Sequence, residues 1–106
     1  MSAMKLPDAA ACLATLGNET RLSIFRLLVR AGGDGLPVGR IQTKLGLAAS
    51  TLSHHIAALV ADGLVDQQRE GRTLVCKPNF ARMNALLSFL TEDCCQGTCG
   101  QLTACP

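Results

Sequence analysis

The sequence predicts a mainly α-helical domain that carries one small β-hairpin. Apolar residues recur at helical spacing over five segments, at about residues 7–17, 19–31, 37–45, 48–62 and 79–92. Two short extended runs occupy about residues 64–78, between the fourth and fifth segments. Because the chain has 106 residues, no Trp and no Tyr, we expect one domain with an aliphatic core.

A polar residue and a glycine run mark the two ends of the second predicted helix. Asn18 suits the N-cap of the second helix, because its side chain can accept a hydrogen bond from a free backbone N–H group. The glycine-rich run at 32–35 predicts the loop that ends this helix.

Cys12, in the first helix, and Cys76, in the second extended run, have apolar neighbours, so we expect both to be buried as small hydrophobic side chains.

Residues 37–62 combine a short helix, a turn containing Gly46 and a longer helix, which is the helix-turn-helix pattern. One stripe of the longer helix is apolar and comprises Leu52, Ile56, Leu59 and Val60. Its other side carries Ser50, Thr51, Ser53 and His54. Short hydroxyls and an imidazole let a helix approach the DNA major groove and donate to phosphates and base edges. Taken alone, the spacing is as compatible with an ordinary solvated face as with DNA contact.

Two arginines lie close to the tip of the predicted hairpin. Arg69 precedes and Arg72 follows the Glu70-Gly71 junction between the extended runs. A basic hairpin directly after a helix-turn-helix is the winged form of the motif, in which such arginines meet the DNA backbone or minor groove. The order of the two pieces therefore favours DNA as the partner over an ordinary exposed turn.

Three segments together resemble the ArsR/SmtB family of metal-sensing repressors: NETRLSIFRLL at 18–28, STLSHHIAAL at 50–59, and GLV at 63–65 with REGR at 69–72. The resemblance covers about residues 10–92. It implies a homodimer that binds double-stranded operator DNA without ligand and releases it when a metal or metalloid binds. The positions that such repressors use for DNA correspond to Ser50, Thr51, Ser53 and His54, with Gln42 and Lys44 as candidate backbone contacts. For His55 we favour a half-buried packing role.

The resemblance also implies that the first and last helices form the dimer surface. The last helix has an apolar stripe of Phe80, Met83, Leu86, Leu87 and Leu90. The first helix has a smaller stripe of Ala9, Leu13 and Leu16. Each stripe is equally compatible with the core of a single chain. A dimer is nevertheless part of the implied mechanism, because two recognition helices related by a two-fold axis address successive half-sites of an operator.

Two ligand sets that occur in the resembled family are missing from this chain. The arsenic sensors with a Cys-Val-Cys motif would have cysteines near Val38 and Arg40, where the chain has LPVGRI at 36–41. The zinc, cobalt and nickel sensors place His, Asp or Glu along the last helix, and residues 79–91 contain none of these. We therefore expect the sensing ligands elsewhere.

The segment 94–106 carries four of the six cysteines, and we expect it to be a metalloid-binding tail on a DNA-binding and dimerisation domain at 1–93. Cys94, Cys95 and Cys99 resemble the C-terminal vicinal-cysteine site of another arsenic-sensing branch. Soft metals and metalloids prefer thiolate ligands, and the neighbouring glycines let the chain bend around one ion. As(III) or Sb(III), which forms three strong bonds to thiolates, is the expected inducer.

Other roles for the tail remain open. Adding Cys105 gives a four-cysteine site for Zn(II), Cd(II) or Pb(II), although the spacing fits paired zinc knuckles only in part. The cysteines can also form disulfides, which would make a thiol redox switch. A tail without a ligand, and a metal-buffering protein without a specific DNA target, are the remaining alternatives.

Neither catalysis nor membrane insertion is expected. The chain has no Ser-His-Asp set, no paired carboxylates and no phosphate-binding loop, so we do not expect an enzyme. No apolar run is long enough to span a membrane. The N-terminus lacks the layout of a signal peptide, so we expect a cytoplasmic protein with reduced cysteines.

Overall fold

The computed structural model describes residues 4–92. Five helices and three strands follow one another in this part of the chain: α1 (Leu6–Leu16), α2 (Glu19–Ala31), β1 (Leu36–Pro37), α3 (Val38–Leu45), α4 (Ala49–Ala61), β2 (Val65–Glu70), β3 (Thr73–Pro78) and α5 (Phe80–Thr91). The predicted helices and hairpin are all present, and each helix boundary lies within one residue of its predicted position. The predicted fold class, a mainly α-helical winged helix-turn-helix, is confirmed. None of the described helices is long and apolar enough to cross a membrane.

Asparagine side chains cap two of the helices. Oδ1 of Asn18 accepts a hydrogen bond from the backbone N–H of Arg21 at 3.1 Å, which confirms the predicted N-cap of α2. Asn79 accepts in the same way from the backbone N–H of Arg82 at 2.9 Å. Because Asn79 directly follows β3, this cap determines where the last helix leaves the sheet.

The sheet has a third strand that the sequence analysis missed. β1 pairs antiparallel with β3, so the strand order is β1-β3-β2. Gly35 precedes β1 with a φ of 70°, and a side chain at this position would collide with the carbonyl group of Cys76. A strand of two residues that includes Pro37 has no alternating pattern, so only its packing against β3 identifies it.

The predicted hairpin consists of β2 and β3. The two strands pair antiparallel, from Val65 opposite Pro78 to Glu70 opposite Thr73. The connection is therefore Gly71-Arg72, one residue later than the expected Glu70-Gly71 tip. Gly71 has a φ of 65°, which a tight hairpin turn favours and most side chains avoid. Arg72 thus lies in the turn itself.

The core is aliphatic, and helices and sheet share it. Its fully buried side chains include Ile24, Leu28, Ile41, Leu52, Ile56 and Leu59. Cys12 and Cys76 are both 0% exposed, which confirms that they are buried as small hydrophobic residues. Val60 was expected on the buried stripe of α4 but is 36% exposed. Because it directly follows a buried leucine, it points about 100° away around the helix.

Candidate nucleic-acid interface

Gly46 closes the turn between α3 and α4. Its φ of 66° is left-handed, and its N–H donates to the carbonyl oxygen of Gln42 at 2.8 Å. The N–H of Leu47 reaches the same oxygen at 3.3 Å. This cap turns the chain away from the axis of α3, so that α4 begins in a new direction as the second helix of the motif.

The second helix, α4, has one buried and one exposed side. Leu52, Ile56 and Leu59 are buried in the core. All the residues of this helix that were predicted to contact DNA are exposed: Ser50, Thr51, Ser53 and His54. Among the described residues, no side chain caps the N-terminus of α4, so its first backbone N–H groups are available to an outside partner such as a phosphate.

The two candidate backbone contacts on α3 differ in accessibility. Lys44 is exposed in the last turn of the helix. Gln42 is only half-exposed. Lys44 is therefore the better placed of the two for reaching a DNA phosphate.

The arginines of the hairpin are exposed and have no acidic partner in the part of the chain that the structure describes. Arg69 projects from β2 and Arg72 from the turn. The carboxylate of Glu70 lies between them in sequence, but it pairs across the hairpin with Lys77, Nζ to Oε2, at 3.9 Å. Because Glu70 is oriented toward Lys77 and neither guanidinium group has an acidic partner among the described residues, both are available to bind an anion.

Arg40 is a basic residue of the interface that the sequence analysis did not consider for DNA binding. It is exposed on α3. With Thr43 it lines a shallow groove whose other wall is the hairpin tip at 72–74. The sequence offered one signal for this exposure. Arg40 directly precedes Ile41, which is buried, and neighbouring residues on a helix point about 100° apart.

A hydrogen bond from α2 holds the middle of α4. Nε of Arg21 donates to Nδ1 of His55 at 3.2 Å. The same guanidinium donates from its NH1 nitrogen to the carbonyl oxygen of Thr15, close to the end of α1, at 3.4 Å. His55 is half-buried. These contacts support the packing role that was expected for His55, while His54 beside it faces solvent.

The end of α4 is held by α1 and α5 at Asp62, its C-cap residue. Nε of Arg82 donates to the backbone carbonyl oxygen of Asp62 at 3.0 Å. The thiol of Cys12 approaches the same oxygen at 3.7 Å. The hydroxyl of Thr15 donates to the Asp62 carboxylate. Three helices therefore meet at one residue, and the direction of α4 depends on all of them.

Burial shifts the pKa values of His55, Cys12 and Cys76. Desolvation lowers the pKa of His55, and the positive charge of Arg21 adds to this effect, followed by that of His54. The neutral imidazole that results is the form whose Nδ1 can accept from Arg21. Burial also raises the thiol pKa values of Cys12 and Cys76, so both remain protonated thiols at neutral pH.

The expected dimer stripes are divided between core and surface. Ala9 and Leu86 are buried, and Leu16, Phe80 and Met83 are half-buried. The remaining members of the two stripes are exposed leucines: Leu13 by 44%, Leu87 by 52% and Leu90 by 52%. Each stripe therefore serves the core with one edge and leaves large apolar side chains in solvent with the other.

The predicted metalloid ligands, Cys94, Cys95 and Cys99, and the boundary before the predicted tail lie outside the described residues. Within residues 4–92, no group of three or more His, Cys, Asp or Glu side chains is placed to hold a metal ion. The described cysteines, Cys12 and Cys76, are buried on different elements.

Several solved structures share this fold. An ArsR-like transcriptional regulator from Rhodococcus superposes with a TM-score of 0.70 and 27% identity, over 79% of this chain and 76% of that one. The homodimeric winged helix-turn-helix domain of Mb0332 from Mycobacterium bovis gives a TM-score of 0.65 at 27% identity, over 88% and 92% of the two chains. HlyU from Vibrio cholerae gives 0.68 at 32% identity, over 88% and 100%.

A helix-turn-helix with an exposed polar recognition helix and a basic hairpin defines the class of winged helix-turn-helix DNA-binding proteins. A family model for the helix-turn-helix domain matches residues 16–68. The chain is also 33% identical over 88 residues to the transcriptional activator HlyU of Vibrio cholerae, which covers 83% of this chain and 79% of HlyU. The chain belongs to the ArsR-type helix-turn-helix transcriptional regulators.

Proposed function

We propose that this protein is a homodimeric transcriptional repressor that binds operator DNA and releases it when As(III) or Sb(III) binds Cys94, Cys95 and Cys99. The observation that carries the DNA-binding part is the exposed side of α4, where Ser50, Thr51, Ser53 and His54 face away from the core. Their hydroxyl and imidazole groups are short donors and acceptors, which a helix in the major groove needs.

The proposed dimer uses α1 and α5. Leu13, Leu87 and Leu90 are exposed large apolar residues on these two helices, and burying them against a second copy would stabilise the pair. Mb0332, which shares the fold, is a homodimeric domain. In such a dimer the two copies of α4 would address successive half-sites of a nearly palindromic operator.

The metalloid response rests on the sequence of the tail. Three thiols within six residues, with Gly97 between them, suit a trivalent ion that forms three bonds to sulfur. The tail follows α5, and α5 is bonded to the end of α4 through Arg82. Binding at the tail can therefore change operator affinity by changing how α5 sits against its partner. Such a regulator would act in the cytoplasm.

Operator binding with and without candidate inducers tests the proposal. The operator is first selected from a random duplex library, and binding is then followed by fluorescence anisotropy with As(III), Sb(III), Zn(II) or a mild oxidant. We expect As(III) or Sb(III) to weaken binding at least tenfold, which corresponds to about 1.4 kcal/mol. Release by Zn(II) alone would point to a four-cysteine site, and release by oxidant alone to a redox switch.

Serine variants show which cysteines of the tail are needed for the metalloid response. Cys94→Ser, Cys95→Ser and Cys99→Ser should each abolish the metalloid response and leave ligand-free DNA binding unchanged. Cys105→Ser is the matched control, and it should respond like the wild type. Loss of the response in Cys105→Ser as well would argue for four sulfur ligands instead of three.

Variants of α4 test sequence recognition. Ser53→Ala removes an exposed hydroxyl. If this hydroxyl contacts a base edge, we expect the preference for one base at one operator position to weaken by about 0.5–1.5 kcal/mol. A metal-buffering protein would instead select no sequence from the library, while its tail variants would still bind less metal.

Whether the protein represses or activates needs its own test, since HlyU of Vibrio cholerae is an activator. Transcription in vitro from the selected operator should fall on addition of the ligand-free protein.

A further inference from the structure

The groove between α3 and the hairpin tip brings two arginines from different elements to one place. Arg40 and Thr43 line its α3 side, and Arg72 and Thr73 line its hairpin side. The remaining lining is backbone or apolar, from 37–39 and Leu74. The described lining thus contains two arginines and no acidic residue.

Nothing in the described part of the chain neutralises these two charges. Glu70, the acidic residue at the hairpin tip, is paired with Lys77. The hydroxyl of Thr43 donates to the carbonyl oxygen of Gly39 at 3.0 Å. Two like charges that face one groove without a counter-charge repel each other, and an anion bound between them removes this repulsion.

The form of the groove indicates which anion it accepts. The groove is shallow and open to solvent, so it does not enclose a small molecule. A DNA phosphodiester presents two non-bridging oxygens, and guanidinium groups bind phosphate oxygens through paired N–H donors. The groove also lies between the two pieces of the motif, α3 of the helix-turn-helix and the hairpin tip.

We propose that Arg40 and Arg72 bind the same phosphate of the operator backbone from its two sides. This clamp adds Arg40 to the DNA-contacting residues and holds the hairpin against α3 when DNA is bound. It rests on the proposed DNA-binding function and makes no claim about the inducer. Because phosphate contacts carry no base information, the clamp sets the position of α4 on the duplex and not its sequence preference.

A double-mutant cycle tests whether the two arginines share one phosphate. Arg40→Ala, Arg72→Ala and the double variant are titrated with the selected operator, and with a scrambled duplex, over a range of salt concentrations. Each single variant should lose about tenfold in affinity for both duplexes, and the slope of log K against log salt should fall by about 0.9. The double variant should lose much less than a hundredfold in affinity. Its salt slope should still differ from that of the wild type by about 0.9, the value for one phosphate. Arg30→Ala, an exposed arginine on α2 outside this groove, is the matched control and should bind like the wild type.

Neutral phosphates in the DNA identify the contact directly. Methylphosphonate is placed at one backbone position at a time, and one position should weaken wild-type binding and make both alanine variants indistinguishable from the wild type. Losses that multiply in the double variant, two separate sensitive positions, or an Arg40→Ala variant that binds like Arg30→Ala would each overturn the clamp. A wild-type protein that selects no operator would overturn the proposed function instead. Since both arginines are exposed, unchanged thermal unfolding of the variants confirms that they fold.

Discussion

Nε of Arg82 on α5 lies 3.0 Å from the backbone carbonyl oxygen of Asp62, the residue that caps the C-terminus of α4. Asp62 is also bonded to α1, through its carbonyl oxygen from Cys12 and its carboxylate from Thr15. Because α1 and α5 both contact the residue that ends α4, a shift of α5 must either move the end of α4 or break the hydrogen bond between Arg82 and Asp62. The hydrogen bond of Arg82 therefore links the last helix directly to the C-terminal end of α4.

Replacing Arg82 should loosen this connection. In Arg82→Met the aliphatic stem is kept, but the carbonyl oxygen of Asp62 loses a charged donor, so we expect a loss of about 1–3 kcal/mol in the free energy of unfolding. Urea denaturation at fixed protein concentration measures it, and hydrogen exchange should show faster exchange in the last turn of α4. Arg30→Met, on exposed α2 surface, is the control and should change neither. Equal stability of the two variants would contradict the role of this bond.

The charge state of His55 should depend on Arg21. Its pKa is lowered chiefly by burial and then by Arg21, so Arg21→Ala should raise the pKa without restoring the ordinary value near 6.5. Imidazole NMR shifts followed against pH measure this. Arg26→Ala, an exposed arginine on the same helix, should leave the titration of His55 unchanged. A pKa that does not move in Arg21→Ala would rule out the charge effect.

The same shift makes stability depend on pH in a defined direction. The unfolded chain binds a proton on His55 more readily than the folded chain does, because the folded pKa is the lower one. The contribution of neutral His55 is therefore complete above about pH 6.5 and is lost as the pH falls through the folded value. Urea denaturation between pH 7.5 and 5 should show a decline that is smaller in His55→Gln. A decline of the same size in that variant would assign it to other groups.

Replacing exposed leucines with glutamate should dissociate the proposed dimer. Leu87→Glu and Leu90→Glu each place a carboxylate where a second copy would bury an apolar side chain, and we expect the dimer dissociation constant to rise at least about a hundredfold. Sedimentation equilibrium measures it. Val60→Glu, at an exposed apolar position on α4, is the control and should leave the dimer intact. A dimer that survives both leucine variants would place the interface on another surface.

Cys12 and Cys76 should be protected from alkylation in the folded protein. Both thiols are fully buried and burial raises their pKa values, so little thiolate is present at pH 8 and reagents do not reach it. Iodoacetamide labelling followed by mass spectrometry of peptides should modify these two sites at least about a hundredfold faster in urea than in buffer. Rapid labelling of either site in buffer would contradict its burial.

Local patterns in the sequence were sufficient for most of the fold. Asn18 and the glycines of the loop after α2 mark helix ends by their own backbone chemistry, and the stripe Leu52, Ile56, Leu59 follows from helical spacing. The two-residue strand β1 and the turn at Gly71-Arg72 were not predicted correctly. Both depend on how a strand pairs with β3, and the local sequence pattern does not show this pairing.

The residue order alone identified the exposed side chains of the recognition helix, the arginines of the wing and the cysteines proposed as metalloid ligands, because residue type and spacing carry that chemistry. Only the tertiary structure showed that Arg40 and Arg72 line one groove, that Lys77 pairs with Glu70, and that Arg82 reaches Asp62. Apart from the Glu70–Lys77 pair across a hairpin, these relationships join elements far apart in the chain. Their geometry depends on how helices and sheet pack around the shared core, and helical or strand periodicity does not encode that packing.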